Sequence, residues 1–158
     1  MDSAQADALR ELLASQRIAS LGTLHDDEPQ VSMVPFALLP GGAGFVIHVS
    51  QLAAHTKDML ANPRVSLLVI APPSPGISVQ AMARVTIQGQ ATQSLSSAAL
   101  HAEAKQAYLS RFPEGAPMFD FSDFSLFVIE PRSIRFIGGF AQARTLAPAE
   151  LAEALGKP

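Results

Sequence analysis

The sequence predicts a mainly β protein: an antiparallel sheet rolled into a small closed or partly split barrel, with α-helices as connectors or lids. Three observations carry that expectation. Short segments rich in β-branched and aromatic residues recur along the chain, bounded by Gly, Pro, Asn and Asp. The strand-helix alternation that builds a parallel, doubly wound sheet is missing. One glycine, Gly89, interrupts a long alternating segment, as happens where barrel strands bend.

Leu9, Leu12 and Leu13 recur at helical spacing behind Asp2, whose carboxylate is placed to cap the first turn with Gln5 three residues on, which predicts a helix over 3–16. IASLGTL (18–24) and QVSMVPFALL (30–39) read as two strands joined by the polar turn HDDEP, together a hairpin. The turn PGGAG leads to a third strand, FVIHV (45–49). A helix within SQLAAHTKDML (50–60) is stopped by Asn62-Pro63, and RVSLLVIA (64–71) follows as a buried strand. PPSPG (72–76) is a rigid loop and SVQAMARVTIQGQATQ (78–93) a long strand. Ser96 or Ser97 is expected to cap a helix through AALHAEAKQAYLSRF, which Pro113 ends. FSLFVIE (124–130) and SIRFI (133–137) read as separate strands on either side of Pro131-Arg132. GGF (138–140) follows, and PAELAEAL forms a short helix with Pro148 near its first turn. Nothing in this order suggests a repeat or a linker, so one domain over 1–158 is expected.

Composition narrows the function. Charged residues are 16% of the chain and hydrophobic ones 48%, which leaves little polar material to cover a monomer and predicts a buried interface in a two-fold dimer. A net charge of −3 with no basic stripe argues against nucleic acid. No apolar run reaches the ~20 residues that span a bilayer, and the acidic start MDSAQADALRELL differs from a secretory leader, so a cytoplasmic location is expected. With no cysteine, thiolate nucleophiles, disulfides and Cys-based metal sites are excluded. His48 and His55 have no third residue spaced to complete a metal site, and no G-x-S-x-G elbow is present.

Four features could carry binding chemistry, each with a plainer reading beside it. Ser50, His55, Thr56 and Lys57 fall where a strand hands over to a helix; they either cap and solvate an ordinary helix start or cradle an anion such as a phosphomonoester at its N-terminus. Pro35 within SMVPFALL must interrupt the ladder, either as an edge strand or to free main-chain groups beside Ser32, Met33 and Val34 for a planar heterocycle. In GGF, the glycines permit positive φ, and Phe140 either enters the core or covers a flat ring. Arg84 either lies on the solvent face of its strand or turns its fork toward a phosphate or a flavin carbonyl.

Taken in order, ASLGTLHDDEPQVSMVPFALL, HVSQLAAHTKDMLANPRVSLLV, ARVTIQGQA and AYLSRFPEGAPMFDFSDFSLFVIEPRSIRFIGGFAQA resemble the pyridoxamine 5′-phosphate oxidase-like FMN-binding split barrels, and within them the haem-utilisation branch, over roughly residues 10–144. The resemblance implies a six-stranded, Greek-key, antiparallel split β-barrel and a homodimer with FMN in a groove between the subunits. It places Ser32, Met33, Val34 and Pro35 along the isoalloxazine ring and Ser50, His55, Thr56 and Lys57 at the phosphate. Arg84 falls at a flavin-contacting strand position, and Gly139 and Phe140 in the segment that closes the site. The sequence departs from the oxidases proper: serine stands at Ser32 in place of their arginine, the basic pair near His55 and Thr56 is absent, and so is their R-x-H motif. No histidine follows His101, so the haem branch's C-terminal haem-ligating histidine has no counterpart here. The expected function is that of an FMN-binding oxidoreductase acting on a small substrate. The alternatives are a haem-binding or haem-degrading protein using His25, His48, His55 or His101 as an axial ligand, or a cofactor-free binding module.

Overall fold

The computed structural model describes residues 1–156. Helix α1 (Ser3–Ser15) begins as its sequence dictates, with the Asp2 carboxylate accepting from the Gln5 N–H at 2.8 Å. Its Leu9, Leu12 and Leu13 are fully buried. Strands β1 (Ile18–His25) and β2 (Glu28–Pro35) form the hairpin, and its two-residue turn holds Asp26 and Asp27 at φ of 49° and 64°. Positive φ at both central residues is the twist-matched geometry for a two-residue hairpin, and Asp tolerates it better than most side chains.

A short β3 (Ala37–Leu38), then β4 (Phe45–Ser50), α2 (Ala54–Ala61), β5 (Arg64–Ile70) and β6 (Arg84–Ser94) follow. After them come α3 (His101–Arg111), β7 (Phe124–Ile137), β8 (Ala143–Leu146) and α4 (Pro148–Gly156). The strands form one antiparallel sheet in the order β2-β1-β5-β6-β7-β4-β3, with β8 paired to β7. β2 and β3 lie at opposite ends of this path, yet only Phe36 separates them in the chain. The sheet must therefore curl until its two ends meet at that residue. Six strands carry the barrel, and β3 and β8 are short additions.

Alternation sorts each strand. Ala19 and Leu21, Val65, Leu67 and Val69, and Val85 and Ile87 point inward and are buried. β4 is buried on both faces, which accounts for its nearly unbroken apolar run. Phe45, Ile47 and Val49 enter the barrel core, while Val46 packs outward with Ala104, Tyr108 and Phe112. Each such aliphatic or aromatic side chain is worth about 1.5–3 kcal/mol when fully removed from water.

Several boundaries differ from expectation for identifiable reasons. Pro131 does not divide two strands: β7 runs through it because Pro131 sits opposite Gly89, and the register slips there so that Gln88 faces Ser133. Arg132 is thus the extra residue of a β-bulge, and the bulge absorbs the proline's missing donor. α3 starts at His101 with no side-chain cap, so neither Ser96 nor Ser97 serves that role. Residues 79–81 form a 3-10 turn, which delays β6 to Arg84. In the 138–142 turn the positive φ, 60°, belongs to Ala141 and not to Gly138 or Gly139. β8, after that turn, has no strong signal in the sequence.

A Cβ added at Gly89 would run into the Glu130 carbonyl oxygen, a backbone atom that cannot swing aside. Gly89→Ala is expected to lower unfolding stability by about 1–3 kcal/mol, measured by urea denaturation. Gly139→Ala, whose Cβ would meet only ordinary contacts with Gln142, should change it far less.

Candidate functional site

The β1–β2 hairpin and α2 enclose a cavity of about 290 Å³ at one end of the barrel, lined by Thr23, His25, Gln30, Val31, Ser32, Ala54, His55 and Asp58. Strand period places Leu21, Thr23 and His25 on one face of β1, so the inward row turns from apolar to polar as it reaches the barrel mouth. α2 supplies His55 and Asp58 one turn apart. Asp58 is 3% exposed, and both of its oxygens are engaged: Oδ1 lies 2.6 Å from His25 Nδ1, and Oδ2 accepts from the Thr23 hydroxyl at 2.9 Å. A carboxylate buried this deeply is tolerated only with such partners.

The His25 hydrogen bond, with the Thr23 hydroxyl adding to it, holds Asp58 below the usual carboxylate range against the cost of burial. The same contact, reinforced by the charges of Asp58 and Asp26, raises His25 above the usual imidazole range. Nδ1 is committed to Asp58, Nε2 lies 3.8 Å from Asp26 Oδ2, and the side chain is 58% exposed. His55 is half-buried with its Nδ1 3.1 Å from Ser32 Oγ. Burial holds it below the ordinary value, only partly offset by Asp58.

The residues expected to bind a ligand fall into separate groups. Ser32 and His55 meet in this cavity. Met33 projects outward from β2, Val34 is buried in the core, and Pro35 ends the strand. Ser50 is not the N-cap of α2: that position is Ala53, with no side-chain bond. Ser50 instead closes the preceding turn, its hydroxyl accepting from the Leu52 N–H and donating to Asp123 Oδ2, both at 3.2 Å. Thr56 is fully buried with its hydroxyl donating to the Ser50 carbonyl at 2.6 Å, and Lys57 is exposed. Arg84 donates to the carbonyls of Gln80 and Met82, tying down the 79–81 turn. Gly139 and Phe140 lie in the β7–β8 turn, where Phe140 is exposed; neighbouring Gly138 borders a different cleft, against α1. Thr23, Gln30 and Asp58 carry no local motif; the one signal was the polar end of the inward row on β1.

The other two histidines are placed differently. His101 has its Nδ1 3.0 Å from the Ser94 carbonyl. His48 is 7% exposed and stacked on Phe119 at 3.8 Å between centroids with 7° between planes. Burial, with smaller contributions from Lys105 and His101, lowers it to about 4. Among the described residues no group of three or more His, Cys, Asp or Glu side chains could hold a metal ion. No helix of the described residues is long and apolar enough to cross a membrane.

A curled antiparallel half-barrel with flanking helices defines a split-barrel fold. The chain belongs to the pyridoxamine 5′-phosphate oxidase family, whose model matches residues 5–138. It is 37% identical over 126 residues to HOZ, a chloroplastic heme oxygenase of Arabidopsis thaliana, covering 80% of this chain and 37% of the relative. It is 24% identical over 147 residues to the heme oxygenase HutZ of Vibrio cholerae, covering 92% of this chain and 82% of the relative. A heme binding protein from Mycobacterium smegmatis superimposes with a TM-score of 0.83 at 30% identity, over 94% of this chain and 60% of that one. The chain therefore spans about a third of the plant protein's length and somewhat under two thirds of the mycobacterial one's.

Because His48 stays neutral in the fold, the unfolded chain takes up a proton there that the fold refuses as pH falls from its ordinary 6.5 toward about 4. The stability this provides is complete above 6.5 and lost through that window. His48→Phe, which keeps a ring against Phe119, should flatten the decline of thermal midpoint between pH 6.5 and 4, as read by calorimetry.

Proposed function

We propose that this protein handles haem, as a haem-binding or haem-degrading member of its family, and is not a flavin-dependent oxidase. The observation that carries the reading is the donor set of the cavity: two imidazoles, one buried carboxylate, and no lysine or arginine. A phosphomonoester needs fixed cations or free helix-terminal donors. Here Thr56 is turned inward, Ser50 is bonded to the Asp123 carboxylate, and Asp58 lies across the cavity. Of the residues expected at the FMN phosphate, Lys57 alone offers a cation, and it is exposed on α2 outside this cavity. Haem iron takes an imidazole nitrogen, and the cavity brings two imidazoles, His25 and His55, to one place. The haem-binding and haem-degrading names of the relatives support the same reading. Bound haem would bring the iron and the macrocycle; this chain would supply an imidazole, the carboxylate that orients it, and a partly closed pocket.

A homodimer is part of the proposal. On the outward face of the sheet, Ile18, Val31, Met33 and Ile70 are exposed side chains that a second copy would cover. Met33→Lys is expected to shift the species seen by light scattering from dimer to monomer while far-UV circular dichroism stays unchanged.

Titration decides between the ligands. Hemin should give a saturable Soret shift at one equivalent per chain, and FMN should give no heat by calorimetry. A yellow protein as purified, or stoichiometric FMN binding with none of hemin, would reverse the assignment.

A further inference from the structure

We propose that the outward face of the barrel carries a ligand site of its own, a groove over Gly22 that takes a flat aromatic carboxylate with Arg64 as the anion's partner. The groove lies on the opposite face of the β1–β2 hairpin from the cavity described above, and it stands or falls independently of the haem reading.

The groove has a volume of about 590 Å³, about twice that of the hairpin cavity and within the roughly 300–1,000 Å³ usual for small-molecule sites. Strand alternation points Gly22 and Leu24 of β1, Pro29 and Val31 of β2, and Arg64 and Ser66 of β5 away from the core. In register, Val31, Gly22, Ser66 and Gln88 lie side by side across four strands. Gly22 contributes no side chain, so its peptide forms a flat floor between Val31 and Gln88. The barrel does not itself require glycine there: an added Cβ would meet only ordinary contacts, the nearest being the Ser66 carbonyl oxygen at 3.5 Å. At Gly89 the same addition runs into the Glu130 backbone, so only that glycine is spoken for by the fold. The space above Gly22 is open to the face of a ring.

Charge selects the ligand. Two guanidiniums, of Arg64 and Arg132, border the groove, and none of its lining residues is acidic. Arg64 donates from Nε to the Asn62 side-chain oxygen at 3.2 Å, which fixes the fork and leaves both terminal nitrogens without a partner among the described residues. Those two nitrogens form the pair that holds a carboxylate by parallel hydrogen bonds. Arg132 is more committed: it donates to Gln90 Oε1 at 3.2 Å and lies 3.6 Å from the Glu130 carboxylate, so it adds positive potential at the same rim without being the anchor. Leu24, Pro29 and Val31 supply the apolar side against which a ring packs. The side chains offered to a second copy lie toward the other end of these strands, Met33 opposite Ser20 and Ile70 opposite Arg84, and only Val31 borders both regions.

The test uses the full chain with pyrene carboxylate, followed by fluorescence and calorimetry, and pyrene methanol as the uncharged control. Wild type should bind the acid saturably at one equivalent per chain and the alcohol about tenfold or more weakly. Arg64→Gln should bring the acid down to the affinity of the alcohol and leave the alcohol unchanged, a split that a merely structural role for Arg64 would not produce. Gly22→Leu, which fills the floor, should abolish binding of both probes. Gly22→Ala, whose Cβ meets no clash, should weaken both, with thermal melting confirming that each variant is folded. Met33→Lys should bind the acid as wild type does, because the groove lies within one chain. Hemin, itself a flat aromatic carboxylate, is then titrated against bound probe: displacement names haem as the occupant, no displacement names a smaller aromatic acid, and both keep the site. Absence of saturable binding by wild type, equal loss of acid and alcohol in Arg64→Gln, or full affinity in Gly22→Leu overturns the proposal. Loss of binding in Met33→Lys overturns it as well, by giving the groove to the second copy. Failure of hemin to bind overturns the haem reading alone.

Discussion

The whole sheet depends on a covalent constraint at Phe36. The strands on either side of this residue lie at opposite ends of the sheet order, so the barrel closes through the main chain and not only through a ladder of hydrogen bonds. The Phe36 ring is fully buried, lies 6.1 Å from Phe45, and is covered by the Arg111 guanidinium 4.8 Å from its centroid. Arg111 also bonds the carbonyls of Leu13, Ala14 and Gln16, so the residue that covers the corner satisfies the exposed end of α1. One junction thereby fixes the barrel corner, the first helix and α3 relative to one another. The β1–β2 hairpin is left projecting from it, with its tip over α2.

That projection is why the cavity exists. β2 pairs with β1 on one side only, and α2 packs against β1 across the barrel mouth. In such a place a polar row can end an apolar strand without being driven into the core. Thr23 and Asp58 are buried there because they satisfy each other, and His25, bonded to the other Asp58 oxygen, stays exposed at the end of β1.

Local signals in the sequence had local causes and were legible. Asp2 capping Gln5, the Asp26-Asp27 hairpin turn, the stop at Asn62-Pro63 and the Gly89 irregularity each depend on a few adjacent residues. What escaped was set by distant partners. β7 passes through Pro131 only because Gly89 on β6 makes room for a bulge, and Ser50 leaves the cap position because Asp123 takes its hydroxyl. The candidate cavity joins residues that the sequence kept in separate groups. Ser32 and His55, expected at a flavin ring and at its phosphate, instead lie 3.1 Å apart at the edge of one cavity, and Asp58 was not singled out. Thirty-odd positions of intervening chain separate it from the histidine it orients.

Closing a barrel at Phe36 also has a kinetic side. β4 can pair with β7 only after residues 51–123 have been looped out, and β1 can pair with β5 only across β2, β3, β4 and α2. Contacts so remote in sequence pass through an entropically costly transition state, which places the protein among the slow folders, on the millisecond-to-second scale. While that search lasts, β2 with its outward Val31 and Met33 is an unpaired, apolar strand edge. The prolines at both ends of that strand, Pro29 and Pro35, remove two donors from the edge and so act as guards against premature pairing with another chain.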